Sequence, residues 1–382
     1  MRICLVGPTY PYRGGIAHYT TLLARHLAAD PEHDHLLISF KRQYPRWLYK
    51  GASDRDTSRN PLRTEAEYLL DPLNPLTWRR TWRRIAAWQS ELVVIPWWVP
   101  FWAPAWSVLG RAVKRLHPAP RLIYICHNAI PHEASRFDRL AMRAALGPAD
   151  GLLAHAESDA AELRGQFPRK PVAVSPLPTF AGVGSSPAEL HMALPTGRPD
   201  RPLLLFCGFV RPYKGLDVLL EALPAVLAQQ PVHLLVAGEF WAGEADYRRQ
   251  IDCLGLEAAV TIDNRYIPDE ELSAYLHAAD VVVAPYREAT QSAIVQLAFG
   301  HGRPVITTDV GGLSEAVEDG QTGLVVPPED PAALAEAICR YFNEGLRRPF
   351  EENIDRLKGR FGWSALIDTL VHLDETARIN EQ

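Results

Sequence analysis

The sequence predicts an α/β protein with two doubly wound parallel sheets, each in its own domain. Two observations lead to this prediction. The chain has 382 residues, which is more than one hydrophobic core usually spans. Short apolar runs also alternate with amphipathic helical segments, and such runs are typical of parallel strands buried on both faces. The βαβα pattern occurs twice, which indicates two Rossmann-like sheets.

The predicted elements follow from the spacing of the apolar residues. The strands are expected at residues 3–7, 36–40, 92–95, 122–126, 152–156, 203–208, 233–238, 281–285 and 304–308. Helical periodicity predicts helices at residues 17–27, 216–227, 270–278 and 331–342. We expect a first domain over residues 1–180, a Pro-, Gly- and Ser-rich linker over 181–200, and a second domain over 201–361.

Composition excludes several classes of protein. Five scattered cysteines form no CxxC pair, which argues against a disulfide scaffold or a zinc ribbon and favours a reducing compartment. The first residues run directly into a strand without the regions of a signal peptide. No apolar stretch reaches the roughly 20 residues of a transmembrane helix. We therefore expect a cytoplasmic protein.

Charge and tryptophan are unevenly distributed along the chain. Residues 1–170 hold 24 Lys and Arg against 15 Asp and Glu, whereas the remainder holds 16 against 30. Eight of the ten tryptophans lie between Trp47 and Trp106. The two halves are therefore expected to meet different partners, the first of them an anionic surface.

Glycine follows the first predicted strand of each domain. Gly14 and Gly15 precede a helix, where backbone N–H groups can approach a phosphate or a sugar oxygen, although a flexible turn is the plain alternative. In the second domain, Gly208 is followed by Arg211 and Lys214, just before a helix. Two cations at a helix N-terminus suit a diphosphate, while solvated surface cations are the alternative.

A third segment combines small, hydroxylated and acceptor side chains between a strand and a helix. Its backbone N–H groups and hydroxyls suit an anionic or polyol ligand, and its carboxylate can accept hydrogen bonds from sugar hydroxyls. The residues concerned are Glu288, Ala289, Thr290, Gln291, Ser292 and Gln296.

These motifs resemble the retaining GT-B glycosyltransferases of family 4, also called group 1. The resemblance covers most of residues 203–346 and, more loosely, the first domain through the Gly14–Gly15 loop and Cys126-His127-Asn128. It implies two Rossmann-like domains facing across a cleft, with the C-terminal helix, about residues 362–382, returning to the first domain. The family's Glu-x7-Glu signature stands here as Glu288-x7-Gln296, and Phe209 occupies the usual place of the first phosphate-binding arginine.

The resemblance implies a role for each residue that matches the family pattern. Arg211 and Lys214 would stabilise the departing diphosphate, Glu288 would orient the donor sugar, and Gln296 would hold the ribose. His127 would reach the sugar near the reacting carbon, although a packed histidine is the alternative. The nucleotide-diphosphate sugar is then a substrate, and no metal or other cofactor is implied. The acceptor would be a carbohydrate or a lipid-linked carbohydrate of cell-envelope or exopolysaccharide synthesis.

Two aromatic segments of the first domain suggest a further role. Trp78 and Trp82 share one face of an arginine-rich helix that could lie at a membrane surface, the inner face of the membrane being the expected place. Trp97, Trp98 and Trp102 lie in a segment that three prolines should keep from forming a regular strand or helix. These rings are expected to contact the acceptor or a membrane, with core packing as the alternative. No recognised nucleic-acid-binding module is present.

Two alternative functions stay open at this point. One is a nucleotide-sugar epimerase or a phosphorolytic enzyme of the same fold. The other is a non-catalytic sugar-binding or membrane-associated partner protein, for which Gln296 and Phe209 are the supporting features.

Overall fold

A computed structural model describes residues 1–49, 51–128, 136–180 and 200–379 of the chain. The chain divides into two units. The first comprises Met1–Asp56, Leu62–Pro178 and Phe361–Gln382, and the second comprises Thr57–Pro61 and Thr179–Arg360. Apart from Asp200, the predicted linker lies outside the described residues.

The first unit holds a parallel sheet with the strand order β3-β2-β1-β4-β5-β6-β7. Its strands are β1 (Arg2–Val6), β2 (Asp34–Phe40), β3 (Glu67–Leu70), β4 (Leu92–Trp97), β5 (Arg121–Cys126), β6 (Gly151–Ala154) and β7 (Val172–Val174). The helices between them are α1 (Gly15–Ala29), α2 (Pro75–Ala87), α3 (Ala103–Val113), α4 (Arg136–Leu146) and α5 (Glu157–Gln166).

The second unit holds a parallel sheet with the strand order β10-β9-β8-β11-β12-β13. Its strands are β8 (Leu203–Cys207), β9 (His233–Ala237), β10 (Val260–Asp263), β11 (Val281–Ala284), β12 (Val305–Thr308) and β13 (Gly323–Val326). Its helices are α6 (Leu216–Leu227), α7 (Glu244–Leu254), α8 (Asp269–Ala278), α9 (Ala293–Gly300), α10 (Leu313–Ala316), α11 (Pro331–Asn343) and α12 (Arg347–Leu357). The chain then returns to the first unit with α13 (Trp363–Ile379).

Local signals explain where several helices begin. The Asp330 carboxylate accepts a hydrogen bond from Ala333 N at 2.9 Å before α11, and Asn74 Oδ1 accepts one from Leu76 N at 3.1 Å before α2. Both helices have proline at the first helical position, where no N–H is required. These capping hydrogen bonds, together with the prolines, fix the first residues of α2 and α11.

Four strands were absent from the predicted set, and each is short. They are β3, β7, β10 and β13, all of them outer or edge strands of their sheets. Unlike the equally short β6, β11 and β12, these edge strands are only partly buried, so they lack the continuous apolar run by which a strand is predicted. The nine predicted runs form the remaining nine strands of the part of the chain that the structure describes.

Residues Thr57–Pro61, predicted to lie in the first domain, belong to the second unit. The amide of Asp269 donates to Ser58 Oγ at 2.9 Å, and the amide of Arg59 donates to Glu270 Oε1 at 2.8 Å. This short segment therefore supplies a hydroxyl acceptor to the first residue of α8, where backbone N–H groups lack helical partners.

The tryptophan-rich segment of the first unit is regular, contrary to the prediction from its prolines. Pro96 lies in β4 beyond Val94, the last residue of that strand to pair with β1. Pro100 opens a 3-10 turn and Pro104 is near the start of α3, positions where a missing N–H costs little. The prolines therefore mark the ends of elements.

Candidate functional site

The predicted phosphate-binding residues lie where the order of the second sheet reverses. Strands β8 and β11 are neighbours, and the chain proceeds from them toward opposite edges of the sheet. The loops that leave their carboxyl ends diverge and form a crevice, the place where doubly wound sheets bind ligands. We call residues 208–215 the cation loop and residues 285–292 the small-residue loop.

Lys214 is the buried cation of this crevice. Its side chain is only 7% exposed, and its ammonium lies 5.4 Å from the centroid of the Tyr286 ring. Among the ion pairs of the described residues, none joins Lys214 to a carboxylate. Burial lowers the pKa of the Lys214 ammonium, because a charge without a counter-ion is costly to desolvate. An anionic ligand at this place would supply the missing counter-charge.

Arg211 is the exposed cation of the same loop. Its guanidinium lies 5.1 Å from the ring centroid of Tyr213 and 5.0 Å from that of Trp241. Trp241 also packs against Phe209, with ring centroids 4.9 Å apart. Phe209 therefore packs against Trp241, one of the two rings beneath the Arg211 guanidinium, and Arg211 itself is exposed.

The two loops are held together by one arginine that the sequence did not single out. The amide of Arg287 donates to Tyr213 O at 2.7 Å, and its guanidinium donates to Pro212 O at 2.8 Å and to both oxygens of Asp217. Burial opposes ionisation of Asp217, but the Arg287 hydrogen bonds hold the pKa of this carboxyl below its usual value. Arg287 thus fixes the segment that carries Lys214.

Gly215 and Gly208 have conformations and contacts that the loops require. Gly215 has φ +67°, and a Cβ there would lie 2.0 Å from Pro285 O. Gly208 has φ +91°, and a Cβ there would lie 3.1 Å from the Lys214 ammonium. The cation loop is therefore packed directly against the small-residue loop and against its own lysine.

The small-residue loop rests on a second glycine pair that sequence reasoning missed. Gly312 N donates to Thr290 O at 3.0 Å, and a Cβ at Gly311 would lie 1.7 Å from Ala289 O. In this loop Ala289 and Ser292 are buried, Thr290 and Gln291 are partly buried, and Glu288 is exposed. The Gly311–Gly312 pair could have been found, since it follows a predicted strand as Gly14–Gly15 does.

Gln296, the predicted ribose ligand, is buried in α9. Its exposure is 1%, and its Oε1 has no hydrogen-bond partner among the residues that the structure describes. A buried acceptor left unpaired costs about 1 to 3 kcal/mol. A ligand hydroxyl would remove this cost, which is compatible with the predicted role of Gln296.

In the first unit, His127 lies immediately after β5 in a cluster of buried rings. Its amide donates to Trp97 O at 2.8 Å. The Tyr19 ring meets the imidazole edge-on with centroids 4.5 Å apart, and the His155 ring lies 5.1 Å away. Burial, and secondarily the charge of His155, lower the pKa of His127 well below its usual value. The imidazole is therefore neutral near pH 7.

Tyr19 and His155 were not predicted, although they fix the surroundings of His127. The His155 Nδ1 lies 2.8 Å from Ser175 O, which orients the ring, and burial lowers the pKa of His155 to about 4. The Tyr19 ring also lies 5.2 Å from the Trp363 ring of α13. The only sequence signal available was His155 at the end of a predicted strand.

The Gly14–Gly15 loop is shaped by its backbone. Gly14 has φ +102° and ψ 167° directly before α1, a conformation open essentially to glycine alone. A Cβ at Gly14 would meet nothing within 4 Å, so the space before the helix is open. Gly15 is the first residue of α1. Gly14 O accepts the first hydrogen bond of the helix from His18 N at 3.1 Å, so the glycine makes the turn from β1 directly into α1.

Burial contradicts the predicted acceptor or membrane role for three of the five tryptophans, Trp78, Trp97 and Trp102. Trp97 is 1% exposed and Trp102 is fully buried, while the Trp78 indole donates to Asp71 O at 2.9 Å from within the core. Trp82 and Trp98 are half-buried and pack against the same core. The large rings of α2 and of the segment after β4 pack between these elements and the sheet. There they add apolar area to the core of the first unit. Core packing, the alternative, accounts for Trp78, Trp97 and Trp102, whereas the role of Trp82 and Trp98 stays a prediction.

No helix among the described residues has the length and apolar character needed to cross a membrane.

The oxygen and nitrogen atoms of Asp30, Glu32 and His33 lie within 4.8 Å of one another at the turn after α1. Asp30 already accepts from the Glu32 amide at 2.8 Å and lies 3.1 Å from His33 Nδ1. These contacts explain the turn without a metal.

Known families and structures match this chain over most of its length. Residues 201–344 match the family described as Glycosyl transferases group 1, and residues 13–178 match Glycosyltransferase Family 4. Sucrose-phosphate synthase from Thermosynechococcus elongatus superposes with a TM-score of 0.67 and 22% identity, covering 99% of this chain and 98% of that one. Anabaena Alr3699/HepE in complex with UDP superposes with a TM-score of 0.68 and 18% identity, covering 98% of both chains.

Curated relatives match a smaller part of the chain. D-inositol 3-phosphate glycosyltransferase 2 of Catenulispora acidiphila is 32% identical over 233 residues, which cover 57% of this chain and 54% of that protein. D-inositol 3-phosphate glycosyltransferase of Geodermatophilus obscurus is 31% identical over 239 residues, which cover 58% and 52%. The matched region thus spans about half the length of these relatives.

The two doubly wound parallel sheets, with a cation-bearing crevice in the second unit, define a protein of the GT-B fold. The chain belongs to the group 1 glycosyltransferases, since the two family matches together take in both units.

Proposed function

We propose that this protein is a retaining glycosyltransferase that moves a sugar from a nucleotide-diphosphate donor to a carbohydrate or lipid-linked carbohydrate acceptor in glycan synthesis. The observation that carries the proposal is Lys214, a buried cation without a carboxylate partner among the described residues, at the crevice between β8 and β11. The names of similar proteins agree with it: the relatives are inositol-phosphate glycosyltransferases, and the HepE structures contain UDP and glucose.

The proposed chemistry assigns charge stabilisation to the cation loop. The bond between the anomeric carbon and the β-phosphate oxygen breaks, and the leaving diphosphate gains negative charge. Lys214 and Arg211 stabilise this charge, and the contribution of Lys214 is large because it acts where water is excluded. The acceptor hydroxyl attacks from the face that the diphosphate leaves, and its proton passes to a phosphate oxygen. The products are a glycoside of unchanged anomeric configuration and a nucleoside diphosphate.

The remaining residues hold the donor in this proposal. Glu288, exposed on the small-residue loop, accepts hydrogen bonds from the sugar hydroxyls, and the backbone of residues 289–292 supports the sugar and the phosphates. The unpaired Oε1 of Gln296 accepts from the ribose. His127, neutral near pH 7, exchanges a hydrogen bond with a sugar hydroxyl near the reacting carbon and does not carry the positive charge.

Calorimetric titration with UDP, GDP and ADP tests the proposal. UDP, which the HepE structures contain, should bind, and Lys214→Ala should weaken that binding by about tenfold or more. Lys358→Ala is the matched control, because it removes the same charge from an exposed site after α12. Binding of no nucleotide, or equal affinities for Lys214→Ala and Lys358→Ala, would overturn the proposal.

Product analysis separates the proposed reaction from the alternatives. Transfer with retention predicts a glycoside whose anomeric configuration matches the donor, measured by NMR coupling constants. Epimerised donor in the absence of an acceptor would indicate the epimerase. Nucleotide binding without sugar release under any acceptor would favour the binding protein, for which the amide of Gln296 in place of a carboxylate is the specific observation.

A further inference from the structure

A basic cavity of about 710 Å³ lies in the first unit, beyond the carboxyl end of β2. Lys41 and Arg42 follow the strand directly, and Arg46 and Arg55 complete the basic lining. Asp54 is the single acidic residue among those that line it. Loops at the carboxyl ends of parallel strands are where such sheets bind ligands, and this volume is typical of a small-molecule site.

Of the four basic residues described in the cavity lining, two pair with carboxylates and two do not. Arg42 pairs with Asp71 at 2.9 Å, and Arg55 lies 3.6 Å from Asp54. Lys41 and Arg46 are exposed, and no ion pair of the described residues includes either of them. The cavity therefore has a net excess of positive charge that a polyanion would neutralise.

Two tyrosines form an ordered aromatic wall of the same cavity. The rings of Tyr44 and Tyr49 are stacked with centroids 6.0 Å apart. The Trp98 indole donates to Tyr44 Oη at 2.6 Å, and Arg13 Nε donates to Tyr49 Oη at 3.1 Å. Rings held in this way are ordered before a ligand arrives, so their contact with a sugar costs little conformational entropy.

The cavity is anchored to the glycine loop of the first unit. Arg13 N donates to Asp54 O at 3.1 Å, and Asp56 N donates to Pro11 O at 2.9 Å. The segment that carries Asp54 and Arg55 is therefore fixed to residues immediately before Gly14. The cavity wall that contains Asp54 and Arg55 is therefore continuous with the loop that leads into α1.

We propose that this cavity binds a phosphate group carried by the glycosyl acceptor, with the acceptor saccharide against Tyr44 and Tyr49. A phosphate ester carries about −1.5 to −2 charges near pH 7 and three acceptor oxygens. Asp71 and Asp54 engage Arg42 and Arg55, so the Lys41 ammonium and the Arg46 guanidinium supply the donors for the phosphate oxygens. The acceptor role rests on the proposed glycosyltransferase function, whereas the phosphate site rests on the cavity alone.

Calorimetry on the full chain with UDP saturating the second unit tests the site. Glucose 6-phosphate is the probe, and unphosphorylated glucose is the comparison. The double variant Lys41→Ala/Arg46→Ala should weaken the binding of glucose 6-phosphate by about tenfold or more. Arg79→Ala/Arg80→Ala removes the same charge from exposed positions of α2 and should leave the affinity unchanged. Neither double variant removes an ion pair between residues that the structure describes, so both should fold.

Vesicles distinguish the two sources of such a phosphate. If the Lys41→Ala/Arg46→Ala variant loses affinity for glucose 6-phosphate, the acceptor phosphate is that of a free sugar phosphate. If instead it loses association with vesicles containing phosphatidic acid, the phosphate is lipid-borne. Equal behaviour of both double variants in both assays, or equal affinity for glucose and glucose 6-phosphate, would overturn the proposal.

A separate readout distinguishes failure of this site from failure of the proposed function. UDP binding and its dependence on Lys214 are measured in the same protein beforehand. UDP binding that persists while the two double variants behave alike would refute the phosphate cavity only. Probe binding that depends on Lys41 and Arg46 in a protein without nucleotide affinity would refute the donor assignment only.

Discussion

Arg287 and Asp217, seventy residues apart in the sequence, form a two-bond pair: one guanidinium nitrogen donates at 2.9 Å and another at 2.6 Å. Asp217 lies in the first turn of α6, and Arg287 lies in the small-residue loop after β11. The same guanidinium bonds Pro212 O, so one side chain connects three parts of the crevice. The position of Lys214 between these contacts therefore depends on a residue that touches no ligand in the proposed mechanism.

Replacement of Arg287 tests this dependence. Arg287→Ala should weaken UDP binding by about three- to tenfold, because the cation loop loses its fixed position, and Arg287→Lys should restore only part of the affinity. Calorimetry measures both.

The control for Arg287 is an equivalent pair elsewhere in the second unit. Arg265 donates two hydrogen bonds to Asp263 at 2.9 Å. Arg265→Ala should lower the unfolding midpoint without changing UDP affinity. A similar loss of UDP affinity in both alanine variants would mean that Arg287 acts on general stability and has no positioning role.

Gly215→Ala should lower the free energy of unfolding by more than the strain of an alanine in the left-handed conformation explains. Gly255→Ala is the matched control, since Gly255 has φ +66° and nothing within 4 Å of a Cβ, whereas a Cβ at Gly215 would meet Pro285 O at 2.0 Å. Urea unfolding should give a loss of about 1 to 2 kcal/mol for Gly255→Ala and about 3 kcal/mol or more for Gly215→Ala. Equal losses would show that the two loops can separate without cost.

The affinity for UDP should fall as pH rises, and earlier than an exposed lysine would cause. Burial lowers the pKa of Lys214, and only its protonated form is an anion ligand, so binding is full below this pKa and is lost as pH rises through it. Calorimetry from about pH 7 to about pH 10 measures the fall. The Lys214→Arg variant keeps its charge in this range and should give a flat profile; a parallel fall in both proteins would exclude Lys214 as its origin.

Buried histidines should make the protein less stable as pH decreases. Burial lowers the pKa of His155 to about 4, so below the ordinary value of 6.5 the unfolded chain takes up a proton that the folded state does not. Stability is therefore fully present above pH 6.5 and decreases down to about pH 4, by at most about 1.4 kcal/mol per pH unit for this residue.

Urea unfolding at several pH values checks the role of His155. The dependence on pH should be shallower in His155→Gln than in the wild type. His372→Gln, a change at a side chain that is 80% exposed, should leave the slope as it is. An unchanged slope in His155→Gln would assign the effect to other groups.

Trp102→Ala should lower the free energy of unfolding by about 3 to 5 kcal/mol, because the ring is fully buried and stacks on Phe40 at 4.4 Å and on Trp106 at 5.0 Å. Trp47→Ala is the control. That ring is 77% exposed, and its removal should change stability by less than about 0.5 kcal/mol. Similar stabilities for the two variants would contradict the assignment of Trp102 to core packing.

The features of the crevice that could be predicted from the sequence are those that depend on residues close together in the chain. Gly208, Arg211 and Lys214 stand directly between an apolar run and a helical pattern, so their place at a sheet edge followed from parallel-strand geometry. Their roles toward a donor stay predictions. The Arg287–Asp217 pair could not be found in this way, because it joins residues that only the pairing of β8 with β11 brings together.

The tryptophans show a different limit of sequence reasoning. Trp78 and Trp82 are spaced for one helical face, but this spacing is the same whether the face meets a lipid surface or a sheet. Flanking arginines favoured the first interpretation. The burial of Trp78 and its hydrogen bond to Asp71 O show that this residue packs over the sheet. Neither observation could be derived from periodicity.

The first unit is built from both ends of the chain, whereas nearly all of the second is one continuous stretch. Tyr19, the ring edge-on to His127, has Trp363 of α13 as its own neighbour. During synthesis the ribosome therefore makes nearly all of the second unit before it adds Trp363 of the first. A nascent chain that ends before Trp363 would therefore contain nearly all of the second unit while Tyr19, the neighbour of His127, still lacks the Trp363 ring.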